Sequence, residues 1–181
     1  NCMRPSLLPN LLQAASRNLN RGIQNIGLFE VGPVFLSPDE TGQRTSCALL
    51  RQGDAQIADW QQQSRELDIF DIKQDLLSCL SLLGMSVENL QIAREAPDYM
   101  HPGRSALFKL GKVSVGMFGE LHPQILADYD IKAPVVVSEF WLDDVPQPRS
   151  KGPAKPLLGL SALQPLTRDF AFIVEADVPS I

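Results

Sequence analysis

The chain has 181 residues, 44% hydrophobic and 20% charged, with a formal charge of −5 at pH 7 and an isoelectric point near 5.0. That length supports one core burying roughly 70% of the unfolded surface, and the acidity argues against holding nucleic acid by bulk electrostatics. No apolar run approaches the ~20 residues of a membrane span and no basic-then-apolar leader is present; Cys2, Cys47 and Cys79 form no C-x-x-C pair, as reduced thiols of a cytoplasmic protein would and a zinc site would not.

The opening Asn1-Cys2-Met3-Arg4-Pro5, without an initiating methionine, is expected of a segment of a longer protein. Ser6 offers a cap and Pro9 a first-turn residue for a helix with its stripe at Leu8, Leu12, Ala15 and Leu19, ended by Gly22. Arg17 and Arg21, four apart, share one flank. Ile26 to Val31 reads as a strand, Gly32-Pro33 as a break, and Val34-Phe35-Leu36 as the return. A loop over Ser37 to Thr45 leads to a strand over Ser46 to Arg51. Residues 54–67, polar and Gln-rich, fit a loop or an exposed helix equally well. Ile69, Ile72, Leu76, Leu80 and Leu83 make a second helical stripe closed by Gly84, and Asn89 to Glu95 reads as a strand.

The stretch Tyr99 to Ile125 reads as the central hairpin. His101-Pro102-Gly103-Arg104 has the Pro and Gly positions of a type II turn. Gly111-Lys112 fits a two-residue II′ loop, which would place Leu110 opposite Val113, Phe108 opposite Val115 and Ala106 opposite Met117. Leu107 and Phe118 make the other face partly apolar too, which belongs inside a larger antiparallel sheet. A short helix over Pro123 to Tyr129 follows, then a buried strand from Val135 through Leu142. Pro146, Pro148, Pro153 and Pro156, interleaved with basic residues and Gly152, mark a linker over 147–156. Arg168 to Glu175 reads as one more strand, with a turn at 177–179.

Chemistry is sparse. His101 and His122, the two histidines, each precede a proline and flank the hairpin, which favours structural roles over a metal or acid–base site with Asp98 and Glu120. Ser105 and Ser114 lack a G-x-S-x-G elbow. Gly116-Met117-Phe118-Gly119 lacks the cation and magnesium ligand of a phosphate loop. Arg4, Arg17, Arg21 and Arg104 fit surface charges and partner anchors alike. Composition and periodicity reach a soluble α+β domain without a self-evident active site.

Met3-Arg4-Pro5-Ser6-Leu7-Leu8-Pro9-Asn10-Leu11-Leu12, Arg17-Asn18-Leu19-Asn20-Arg21 and Leu28-Phe29-Glu30-Val31-Gly32 resemble the β-subunit family of bacterial phenylalanyl-tRNA synthetases. So do His101-Pro102-Gly103-Arg104-Ser105-Ala106 and Gly119-Glu120-Leu121-His122-Pro123, with Asp71-Ile72-Lys73 and Arg168-Asp169 also in order. The resemblance implies an α+β, class II aminoacyl-tRNA synthetase-like antiparallel sheet flanked by helices, over residues 1–146. Residues 157–181 would be the start of a ferredoxin-like anticodon-binding domain. It further implies a module that has lost catalysis and scaffolds the catalytic α subunit of an αβ heterotetramer. In the whole complex, phenylalanine is charged onto tRNA(Phe) with ATP and Mg²⁺; no cofactor, metal or catalytic residue is expected in this stretch. A working class II site has an arginine two residues before a strand glutamate. With Glu30 as that glutamate, Leu28 stands at the arginine position and cannot stabilise developing negative charge. No G-x-G-x-G…R strand is present, and Gly116 to Pro123 is similar to a corresponding segment of the α subunit.

Arg4, Glu30, Arg104, Glu120 and His122 are the candidates for a partner interface or for a vestigial pocket. The alternative function is therefore a ligand-binding domain retaining a nucleotide or amino-acid site, with Arg104, Glu120 and His122 converging on a cleft. The two helical stripes are candidates to line the α-subunit interface.

Overall fold

The computed structural model describes residues 3–146, 163–164 and 166–173. The chain divides into two units, Asn1–Pro148 and Arg149–Ile181.

In the first unit, helix α1 runs Leu8–Leu19 with Pro9 in its first turn. The cap position is Leu7, one residue later than expected, and Ser6 serves the turn by accepting from the Leu8 N–H at 3.1 Å. Leu8, Leu11, Leu12 and Ala15 form its buried face. Strand β1 (Ile26–Phe35) pairs without interruption with β2 (Gln43–Gln52), from Ile26 opposite Gln52 to Phe35 opposite Gln43. The expected break at Gly32-Pro33 does not occur, because β1 is an edge strand and an edge tolerates proline. Residues 54–67 are neither simple loop nor helix: β3 (Asp54–Gln56) and β4 (Arg65–Glu66) pair as a short antiparallel ribbon.

Helix α2 (Ile69–Leu82) begins in a reciprocal capping box. Asp68 accepts from the N–H groups of Phe70 and Asp71, and Asp71 accepts from that of Asp68. Ile72, Leu76 and Leu80 are fully buried, each contributing about 1.5–3 kcal/mol by leaving water. Leu83, the last member of the expected stripe, lies past the helix end and is 40% exposed.

The remaining elements are β5 (Gln91–Ala93), β6 (Met100–Leu110), β7 (Val113–Leu121), α3 (Pro123–Asp128) and β8 (Val136–Trp141). Six strands form one sheet in the order β1-β2-β8-β7-β6-β5, every pair antiparallel. Helix α1 covers one face, over Ile26, Val34, Ala48, Leu50, Met117 and Val137. Helix α2 covers the other, over Phe108, Val115, Phe118, Val136 and Phe140. Both apolar stripes therefore pack on the sheet and do not face outward as partner surfaces.

The hairpin differs from its expected register. Gly111 takes φ +62° in the loop and Leu110 pairs with Val113 as expected. A bulge at Val115 then displaces the partners by one, so Phe108 opposes Gly116 and Ala106 opposes Phe118. The bulge turns both Val115 and Phe118 toward α2, which an unbroken alternation over three residues forbids. Nor is His101-Pro102-Gly103-Arg104 a type II turn: it lies inside β6, and Gly103 does not take positive φ. It forms a second bulge, between the pairs Met100–Leu121 and Ser105–Gly119, tied by the Ser105 hydroxyl donating to the His101 carbonyl at 2.6 Å.

In the second unit, the described residues 166–173 carry no strand, although Phe170 and Phe172 stack with ring centroids 6.3 Å apart. The strand expected from Arg168 is thus not formed over Arg168 to Ile173; an extended segment becomes a strand only when its N–H and C=O groups find a ladder, and none of the described ladders includes it. Val174, Glu175, the turn at 177–179 and the linker at 147–156 lie outside the described residues.

Candidate functional site

The face of β1 that meets α1 carries Ile26, Leu28, Glu30 and Val34. Leu28 packs against the core beneath α1. Glu30 is engaged from within the chain: the Arg4 guanidinium donates to its carboxylate and, through Nε, to the Pro33 carbonyl at 3.0 Å. Gly32 makes room for that guanidinium, since a Cβ there would lie 2.5 Å from an Arg4 nitrogen. Two of the sequence candidates, Arg4 and Glu30, are thereby brought together. The arrangement offers an incoming phosphate no free arginine at the Leu28 position.

A second, buried carboxylate lies on β8. Glu139 is 2% exposed and accepts from the Ser6 hydroxyl at 2.7 Å, the Leu7 N–H at 3.2 Å and the Ser46 hydroxyl at 2.9 Å. It ties the start of α1 to β2 and β8, where the helix N-terminus favours negative charge. Sequence reasoning passed over it; a lone carboxylate in the apolar run Val135 to Leu142 was the available signal. Burial pushes the nearby Tyr99 phenol up, with the Glu139 charge adding to the effect, and the Tyr99 hydroxyl is left donating to the Met117 sulfur at 3.4 Å. Burial likewise raises the Cys47 thiol to about 11, with Cys79 and Glu139 adding, so Cys47 is an inert thiol at neutral pH.

At the far side of the sheet Arg104 donates to Glu120 at 2.7 Å. His122 precedes α3 and caps it, its Nδ1 accepting from the Gln124 N–H at 3.2 Å. His101 accepts through Nδ1 from Gly103 at 3.1 Å. His101 thus serves the β6 bulge and His122 a helix cap, and no hydrogen bond among the described residues joins His122 to the Arg104–Glu120 pair. Of the motif residues, Asp71 is the most perturbed. It lies in the first turn of α2 and not before it, and the hydrogen bond from Arg65 at 2.6 Å holds its carboxyl down at about 2. The stability this pair supplies is complete above the unfolded carboxylate pKa and drains away as pH falls from about 4 toward 2. Asp71→Asn should lower the urea midpoint at pH 7 and flatten its decline between pH 4 and 2.

Clefts open on the first unit among the described residues. One of about 350 Å³ lies between Gln13, Ser16 and Arg17 of α1 and Asp128 to Asp130. A second, of about 290 Å³, is lined by Asn25, Gln52, Asp54, Glu66, Leu67 and Pro134 among others, and a smaller one adjoins it at Ile26 and Arg51. None of the three is lined by Arg104, Glu120 or His122.

A family model described as the phenylalanyl tRNA synthetase beta chain CLM domain matches residues 1–142. The phenylalanine–tRNA ligase beta subunits of Paramagnetospirillum magneticum, Rhodospirillum rubrum and Zymomonas mobilis are 48%, 46% and 42% identical to it, over 97%, 97% and 98% of the chain. The chain spans 22% of the length of each. Two solved structures of Desulfitobacterium hafniense pyrrolysyl-tRNA synthetase superpose with TM-scores of 0.59 and 0.57 at 18% and 16% identity. Each covers 80% of this chain, which spans 49% and 48% of theirs. That likeness establishes the architecture, a class II synthetase-like antiparallel sheet with flanking helices.

Proposed function

The chain belongs to the phenylalanyl-tRNA synthetase β-chain family, and from that premise we propose that it is a class II core-like module that performs no aminoacyl chemistry and scaffolds the catalytic α subunit. The observation that supports this most is the closed state of β1: Leu28 is packed under α1 and Glu30 is held by Arg4, so the groups that would grip an adenylate are replaced by apolar packing and an internal ion pair. ATP and Mg²⁺ then act on the α subunit, tRNA(Phe) is engaged through the whole complex in the cytoplasm, and residues 157–181 begin an anticodon-binding domain.

With both helical stripes packed inside, an apolar surface open to a partner lies on the opposite face of β1, where Phe29 is 74% and Val31 53% exposed on an edge strand. An aromatic anchor at the centre of an interface typically contributes 2 kcal/mol or more. The double variant Phe29→Asp, Val31→Asp should melt within a few degrees of the native chain yet bind the matching α subunit at least about tenfold more weakly. ATP, Mg²⁺ and phenylalanine should leave the native thermal midpoint unchanged, since a ligand of the folded state must raise it. A rise would favour a retained nucleotide or amino-acid pocket instead.

A further inference from the structure

Every residue from Ile57 to Glu66, the outer part of the β3–β4 ribbon, is exposed, and at its tip Trp60 is 89% and Ile57 69% open to water. The turn that presents the indole is pinned. Asp59 accepts from the N–H groups of Gln61 and Gln62 at 2.8 and 2.9 Å, and its own N–H donates to the Gln62 carbonyl at 3.0 Å, with Trp60 between them. The base of the ribbon is tied down too. Arg65 donates to Asp71 of α2 at 2.6 Å, and the Leu67 N–H donates to the Gly53 carbonyl at 3.0 Å. A large aromatic side chain held out on an ordered, otherwise polar loop has little left to lose in conformational freedom when a partner covers it, and tryptophan is enriched among the residues that dominate interfaces.

We propose that Trp60 is an anchor of the α-subunit interface, entering an apolar pocket of that subunit rimmed by lysine or arginine; this rests on the scaffold reading above. Charge and position both select that partner. Residues 54–71 hold five carboxylates against one arginine, a net −4 of the chain's −5. Asp54, Asp59 and Glu66 have no cationic partner among the described residues. A nucleic-acid backbone is repelled by that field, and a second copy would set like charges against each other, whereas a basic rim is drawn to it. The ribbon also continues the apolar edge of the sheet. It leaves just after Gln52, which pairs with Ile26 at the start of β1, and the Asp54 N–H donates to the Asn25 side-chain oxygen at 2.9 Å. Phe29 follows Ile26 by three residues, about 10 Å along the strand. One partner surface can therefore cover the edge of β1 and receive the tip of the ribbon.

The test is calorimetric titration of the chain with the matching α subunit at low and high KCl. Trp60→Ala should melt with the native chain and bind about thirtyfold more weakly at both salt concentrations, and Trp60→Phe should recover part of the loss. Asp54→Asn with Glu66→Gln should weaken binding about threefold or more at low salt and flatten its salt dependence. The chain has two tryptophans, so in Trp141→Phe the emission reports Trp60 alone. That emission should move to the blue, and its quenching by acrylamide should fall, when the α subunit is added. Native affinity in Trp60→Ala, or a Trp60 emission that the bound α subunit leaves unmoved, would overturn the anchor and leave the scaffold reading standing. Absence of any complex would overturn both. Protection of Trp60 by tRNA(Phe) alone, or by concentrating the chain alone, would overturn the assignment to the α subunit.

Discussion

Glu139→Leu should lower the unfolding free energy by about 3 kcal/mol, because it strands the donors gathered around that carboxylate. The Leu7 N–H is buried at the first turn of α1 and has Glu139 as its acceptor. The Ser6 and Ser46 hydroxyls lose theirs as well, although Ser46 also lies within 3.3 Å of the Phe140 carbonyl and keeps that bond. The replacement puts apolar volume where the helix N-terminus favours an anion. Glu139→Gln, which keeps one acceptor, should cost about half as much. Urea unfolding with linear extrapolation measures both, and a cycle with Ser46→Ala isolates the coupling across β2 and β8. Loss of less than about 1 kcal/mol in Glu139→Leu would mean that the network is solvated and does not tie α1 to the sheet.

Gly119→Ala should be as damaging or worse, with a loss of about 3 kcal/mol or more and a chain that melts below physiological temperature or fails to fold. Gly119 has φ +146°, and a Cβ there would sit 2.4 Å from the Arg104 carbonyl oxygen and 2.5 Å from the Ser105 Cα. Both obstacles are backbone, held in place by the β6 bulge, so no side chain can swing aside. Gly111→Ala is the matched control: φ is +62°, but nothing lies within 4 Å of the added atom. Its cost should be about 1 kcal/mol, the conformational term alone. Circular-dichroism melts of the two variants separate backbone collision from backbone preference; equal midpoints would show that the close approach of β7 to β6 is pliable.

The helices and the hairpin loop were legible in the sequence because their signals are local. Pro9 and Gly22 bracket α1, Asp68 and Gly84 bracket α2, and Gly111 supplies the left-handed loop residue. What escaped was set by neighbours distant in the chain. The bulge at Val115 lies beside Gly116, which pairs with Phe140 of β8 so closely that a Cβ would lie 2.7 Å from the Phe140 Cβ, and no pattern within the hairpin announces that approach. Pro33 looked like a terminator, but its effect depends on β1 being an edge strand, which is a property of the sheet. The site divides the same way. Arg4 and Glu30 stand as candidates by their motif context, yet their pairing across 26 residues, like the Glu139 contact with Ser6, depends on how the segment before α1 is laid on the sheet, and the Ser46–Glu139 contact and the Asp54–Glu66 juxtaposition follow from strand register.

The scaffold role is tested most directly by light scattering of the chain, alone and mixed with the matching phenylalanyl-tRNA synthetase α subunit. The account predicts a stoichiometric complex with mass equal to the sum of its parts, formed without ATP or phenylalanine. A folded chain that stays monomeric beside a well-behaved α subunit would contradict it, and would place the contacts that join the subunits outside these residues.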